Sequence, residues 1–256
     1  MNAKQMKKLE IFDCEVSFGI TGFKRENTPI TKEAMLSKFD RYGIDYALMR
    51  HEFCSTGIAR IGNIELINEI RDDSRLFPMW TVLPHHTGEF PEPEELVTLM
   101  KQYDVRAVAL SAVHYWTVGE WTCGELFRTL ERHKIPILLP LSRLNNKYVS
   151  LYEILKEHSE LRVIITGVGY NCIRDVYPLL EQFPNLYVCT STYKAFAGIE
   201  DTVEKFGAER LVFGSGMPSL SGAASVALLT YADIDDKAKQ MIASGNIKRL
   251  MSEVEF

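Results

Sequence analysis

Apolar residues along this chain gather in short runs, separated by stretches in which apolar positions recur every three or four residues. A short apolar run bounded by turn residues reads as a buried strand, and the wider spacing as one face of a helix. The first run is Leu9 to Gly19, LEIFDCEVSFG. A polar loop from Ile20 to Ile30 follows. Thr31 is then placed as an N-cap, and Ala34, Leu36, Phe39 and Tyr42 mark a helix that ends at Gly43. Further strands are expected at Asp45 to Arg50, Leu76 to Leu83, Val105 to Ser111 and Ile135 to Leu139. Leu161 to Thr166, Leu186 to Thr190 and Arg210 to Gly214 complete them. Between them the spacing predicts helices at Ile61 to Arg71, Glu92 to Tyr103, Glu120 to His133, Lys147 to His158, Cys172 to Phe183 and Tyr193 to Phe206. Ser221 to Tyr231 and Asp235 to Ala243 close the chain as helices.

The strands lack clean alternation, as expected when both faces of a parallel sheet are buried. A doubly wound open sheet would want a glycine-rich phosphate turn after its first strand, and here that strand ends in Ser17-Phe18-Gly19. Strands and helices in this alternation predict a (β/α)8 TIM barrel, an α/β fold, with residues 1–256 as one domain. No flexible linker or low-complexity segment interrupts it.

Composition narrows the partners. Apolar residues make up 46% of the 256 and charged ones 25%, which suits a chain that buries a full core. The net charge of −5 is spread along the sequence, which argues against nucleic acid, since phosphate binding wants a basic face. The longest apolar stretch, Ile135 to Leu141, is too short to cross a bilayer. The charged start MNAKQMKKLE carries no signal-peptide core. Five cysteines, without CxxC spacing, suggest reduced thiols, and the expected location is the cytoplasm. A homo-oligomer stays open.

In such a barrel the chemistry lies at the C-terminal strand ends. Asp13, Glu15 and Ser17 are two apart on the first strand, so they are expected to share its inward face. Glu15 is the leading catalytic candidate, because a central carboxylate must be paired or protonated. Arg50 and Arg143 are its expected partners, and either could hold an anionic ligand. His51 and His114 are the candidates for acid–base work, since imidazole titrates near neutrality. His85 and His86 join them on the rim as substrate-binding candidates. Tyr115, Trp116, Tyr170 and Tyr193 could wall a planar ligand. The plainer readings are rim histidines bonded to loops, aromatics packed in loops, and a structural ion pair at Glu15.

Several phrases carry a family resemblance. LRVIITGVGY at Leu161 to Tyr170, FPNLYVCTSTY at Phe183 to Tyr193 and AERLVFGSGMP at Ala208 to Pro218 resemble the sixth, seventh and eighth strands of the amidohydrolase superfamily. IASGNIKRLM at Ile242 to Met251 resembles its closing helix, and Leu9 to Gly19 its opening strand. The likeness is to the second amidohydrolase-related group, of decarboxylases and lactonases. It implies a TIM barrel and a divalent ion held by an HxH pair, histidines after strands five and six, and an aspartate after strand eight. Those positions here hold Glu15, Ser17, Pro140, Gly167 and Gly216. The expectation is therefore a divergent member without the usual metal ligands and with no cofactor. It would be a hydrolase or lactonase-like enzyme acting on a small carboxylate or lactone. Two alternatives stay open: a non-catalytic ligand- or partner-binding barrel, and a hydrolase whose metal has moved to His51, His85 or His86, His114 and Glu15.

Overall fold

The computed structural model describes residues 8–20, 28–56, 58–112 and 115–256. The first strand, β1 (Phe12–Phe18), leads to α1 (Lys32–Tyr42). The Thr31 hydroxyl accepts the Ala34 N–H at 3.2 Å to start that helix, and Gly43 at φ 74° stops it, a left-handed turn that glycine adopts without strain. Next come β2 (Tyr46–His51), α2 (Ala59–Ile70), β3 (Leu76–Pro78), β4 (Trp80–Val82) and α3 (Pro93–Gln102). β5 (Val108–Leu110), α4 (Glu120–Arg132), β6 (Ile137–Pro140) and α5 (Lys147–Glu157) continue the alternation. So do β7 (Val163–Thr166), α6 (Ile173–Gln182), β8 (Leu186–Cys189), α7 (Gly198–Phe206) and β9 (Leu211–Val212). The chain ends in α8 (Gly222–Thr230), α9 (Asp236–Gln240), a π turn (Met241–Gly245) and α10 (Asn246–Ser252).

All strand pairs are parallel, in the orders β1-β2-β3 and β4 through β9. The expected third strand, Leu76 to Leu83, is divided at Met79. Its first half pairs with β2 and its second with β5. The break falls beside Pro78, which has no N–H to give a ladder. Counted as one, β3 and β4 bring the barrel to eight strands. The ring closes between its first and last members: Cys14 N–H donates to Phe213 O, Gly216 N–H to Glu15 O and Ser17 N–H to Met217 O, at 2.9–3.0 Å.

Two apolar clusters follow from this closure. One lies inside the ring and is built from Phe12, Cys14, Leu48, Met79, Ala107, Ala109, Leu138, Ile164, Tyr187, Cys189 and Val212. The other fills the space between strands and helices. Ile247, Leu250 and Met251 of α10 belong to the inner cluster, so that helix plugs the N-terminal end of the ring. Two hydrogen bonds fix it there: Glu255 N–H donates to His133 O, just before β6, and the Arg162 guanidinium, before β7, donates through Nη1 to Leu250 O. The other end of the ring carries no such plug among the described residues, and it is where the polar side chains collect. No described helix is long and apolar enough to cross a membrane.

Candidate active site

The inner cluster sets which strand-end residues face the mouth, since residues two apart on a strand share a face. Two positions beyond Leu48, Ala109, Leu138, Ile164, Cys189 and Val212 stand Arg50, Ser111, Pro140, Thr166, Ser191 and Gly214. From β1 come Glu15 and Ser17. These side chains form the floor of the mouth.

β1 departs from the regular period. Its register with β2 slips between Asp13 and Val16. Phe12 and Cys14 face the interior, whereas Val16 and Phe18 join the outer cluster. Asp13, expected inward with Glu15 and Ser17, lies instead on the seam between β1 and β9. There its Oδ1 accepts from Glu15 N–H at 3.0 Å and Ser215 N–H at 2.9 Å. Its Oδ2 is buried without a partner. Burial pushes the Asp13 carboxyl up to about 7, against the pull of those hydrogen bonds.

Glu15 is half-buried and takes its one described side-chain hydrogen bond from the Cys189 thiol, 3.3 Å from Oε2. The expected ion pair to Arg50 or Arg143 is not made among the described residues. Arg50 is Ser17's register partner across β1 and β2, and its Nε is buried with no hydrogen-bond partner. Arg143 is committed elsewhere. It is 3% exposed, donates through Nε to Ser111 O at 2.6 Å and through Nη2 to Trp116 O at 3.3 Å, and lies 4.6 Å from the Trp116 ring centre. Burial lowers its pKa from the ordinary guanidinium value. Arg143 and Trp116 thus tie the loop after β5 to the turn after β6, and Trp116 serves as Arg143's platform.

The other predicted residues scatter. His51 falls on the outer face of β2, because it follows the inward Arg50. Its ring packs edge-on to Phe18, its Nδ1 accepts Phe53 N–H at 3.2 Å, and its Nε2 lies 3.4 Å from Glu69 of α2. The imidazole is thus turned toward α2, on the face of β2 away from Glu15 and Ser17. His85 and His86 stack at 4.3 Å in a cleft of about 530 Å³ shared with Arg60, Phe90 and Glu92, and His85 lies 3.5 Å from Glu125. Tyr115 and Tyr170 are 90% and 72% exposed, so neither walls a pocket. Tyr193 is fully buried with its hydroxyl 2.8 Å from Thr202 of α7, and burial raises its phenol pKa. It anchors α7 and does not reach the mouth. His114 lies outside the described residues.

Glu52, a strand-end candidate with no role expected of it from the sequence, stands in the turn just after β2, two positions on from Arg50. The Ser17 hydroxyl donates to Glu52 Oε1, and the Ser55 hydroxyl donates to Oε2 at 3.2 Å. The mouth therefore holds two carboxylates, an arginine and a serine (Glu15, Glu52, Arg50 and Ser17).

The donors described at the mouth do not make up a divalent-ion site. A catalytic site for such an ion asks for about three imidazole, thiolate or carboxylate ligands. Among the described residues no three His, Cys, Asp or Glu side chains are placed to supply them. A cleft of about 810 Å³ between Glu209, Met241 and Arg249 lies by the closing helices. In a barrel the strand ends are the better guide to chemistry, and that cleft is remote from them.

A model of the amidohydrolase family matches residues 43–251, most of the chain. Among solved structures, an uncharacterized TIM-barrel protein from Bordetella bronchiseptica superposes with TM-score 0.74 at 16% identity, covering 96% of this chain and 99% of that one. A 2,6-dihydroxybenzoate decarboxylase from Rhizobium gives 0.75 at 14%, covering 95% and 99%. A 5-carboxyvanillate decarboxylase from Novosphingobium aromaticivorans, complexed with manganese and 4-hydroxy-3-methoxy-5-nitrobenzoic acid, gives 0.69 at 12%, covering 95% and 96%. At such identities the likeness is one of fold. No curated protein matches the sequence.

Proposed function

The chain belongs to the amidohydrolase family, and from that premise we propose that it is an enzyme of small anionic substrates, a carboxylate or a lactone, working at the mouth of the ring without a divalent ion. The observation that carries this reading is Arg50. Its buried Nε has no partner, although an unpaired buried donor costs about 1–3 kcal/mol. A guanidinium offers five N–H groups in a fork that matches a carboxylate. A bound anion would supply the missing acceptor. Glu15, on the same face and held by a thiol rather than by a cation, moves the proton at the reacting oxygen. Ser17 and Glu52 complete the polar floor, and Arg143 keeps the loops beside it in place. No step is assigned to a metal, because the donors described at the mouth make up no ligand set for one.

The manganese-bound neighbour holds a hydroxylated aromatic acid, which makes hydroxybenzoates the first carboxylates to try, followed by lactones. Ligands of the native state raise its melting temperature, so a thermal-shift screen comes before an activity screen. Arg50→Ala is expected to abolish the shift given by a carboxylate. Glu15→Gln is expected to keep that shift and lose turnover. A shift of equal size in wild type and Arg50→Ala would sink the reading.

A further inference from the structure

Ser17 and Glu52 make an arrangement that anion binding does not require. Ser17 is 6% exposed and inward-facing, and its hydroxyl donates to a carboxylate whose second oxygen is fixed by Ser55. A serine is a weak nucleophile until a neighbouring base takes its proton. Glu52 is such a base, already in contact and oriented by a third group. Arg50 sits directly across the strand pair from Ser17, with a donor to spare. Glu15 lies two positions before Ser17.

We propose that Ser17 is a nucleophile activated by Glu52, and that the site hydrolyses lactones or esters through an acyl-serine. This rests on the hydrolytic reading of the mouth. Ser17 Oγ attacks the carbonyl carbon and gives its proton to Glu52, while charge building on the carbonyl oxygen faces the Arg50 guanidinium. The bond to the leaving oxygen then breaks, and that oxygen takes the proton from Glu52. Water next attacks the acyl-serine and gives its proton to the Glu15 carboxylate. The ester bond breaks, and Ser17 Oγ recovers its proton from Glu15. One water is consumed, and both carboxyl groups end as they began.

The test is p-nitrophenyl acetate on the full chain, with peptide mapping of the wild-type protein. An acetyl group on Ser17 and a stoichiometric burst of p-nitrophenol are expected. Ser17→Ala should remove both, and Glu52→Gln should slow the burst about 100-fold or more, the usual loss for a general base. Circular dichroism of each variant separates these losses from misfolding. Wild-type protein that carries no acyl group on Ser17 would overturn the proposal, as would lactone hydrolysis undiminished in Ser17→Ala. If Ser17 stays unmodified while Glu15→Gln and Arg50→Ala still abolish hydrolysis, the covalent step falls and the carboxylate–arginine reading stands. Acylation of Ser17 without turnover of any lactone would keep the dyad and remove the hydrolytic reading.

Discussion

Replacing Asp13 by asparagine tests the barrel seam most directly. The carboxyl is fully buried, accepts two backbone N–H groups on Oδ1 and has no cation beside it among the described residues. Burial raises its pKa from 3.8 to about 7. In the unfolded chain the group ionises near its ordinary value, so between these two limits the folded protein holds a proton that the unfolded chain has released. Stability is then full below the unfolded value, falls as pH rises towards 7, and is level above it. At about 1.4 kcal/mol for each pH unit, the whole loss is about 4 kcal/mol.

Asparagine keeps the acceptor oxygen for Glu15 N–H and Ser215 N–H and cannot ionise. Its stability relative to wild type should therefore rise with pH, whatever the fixed cost of its amide. Urea denaturation of both proteins at about pH 5 and about pH 8 reads the difference, and groups common to both cancel. The Asp13→Asn protein should gain about 3 kcal/mol on wild type between those two conditions. A difference that stays flat would refute the reasoning, because it would mean that Asp13 is ionised at both or neutral at both.

Three further outcomes are expected. In Gly214→Ala the new methyl would collide with Cys189 Sγ and stand 3.2 Å from Glu15 Cβ, so urea denaturation should show a loss of about 1–3 kcal/mol, the usual cost of overpacking. Adding Cys189→Ala should recover part of it, and an unchanged midpoint in the single variant would remove the steric argument. Arg143→Lys loses the fork that reaches two carbonyls at once and should cost about 2 kcal/mol in the same assay; equal stability would mean that the loops do not depend on it. Protein purified without a histidine tag should hold well under one divalent ion per chain, and its activity should survive dialysis against a chelator. A stoichiometric ion lost together with activity would overturn the metal-free reading.

The fold was legible because its signals are local and repeated. Apolar runs and helical spacing alternate along the chain, and α1 is capped by the Thr31 hydroxyl and by the left-handed backbone of Gly43. The site was legible only where the two-residue period holds. That period puts Arg50 inward and His51 outward, and it sets Glu52, a strand-end candidate in the sequence, two positions beyond Arg50. On β1 the slip in register breaks it, so Asp13 parts company with Glu15 and Ser17. No pattern within the strand announces that slip, since it is set by pairing with β2. Tyr193 misled for a different reason. The spacing after β8 predicts a helix from Tyr193, but that helix begins at Gly198, and the tyrosine hydroxyl bonds Thr202 within it. Tertiary packing decided its direction.

The charges at the mouth do not cancel, and the reason lies in three residues of the ring. Cys14 and Cys189 sit on β1 and β8, with β9 between them, yet their sulfurs are 3.8 Å apart. They meet because Gly214 lacks the side chain that would part them. Strands two apart in a sheet are separated by about 9 Å, beyond the span of about 7 Å that a disulfide tolerates. The pair therefore remains a pair of thiols unless the backbone moves. With Cys14 against it, the Cys189 thiol donates to Glu15. Glu15 is thereby held without Arg50, and Arg50 is left with a donor that the described protein does not satisfy. Had the two formed an ion pair, the mouth would present neither a carboxyl group able to exchange a proton nor an arginine able to receive an anion. A thiol on one side of Glu15, and no ion pair to Arg50 on the other among the described residues, is the arrangement the proposed reading draws on.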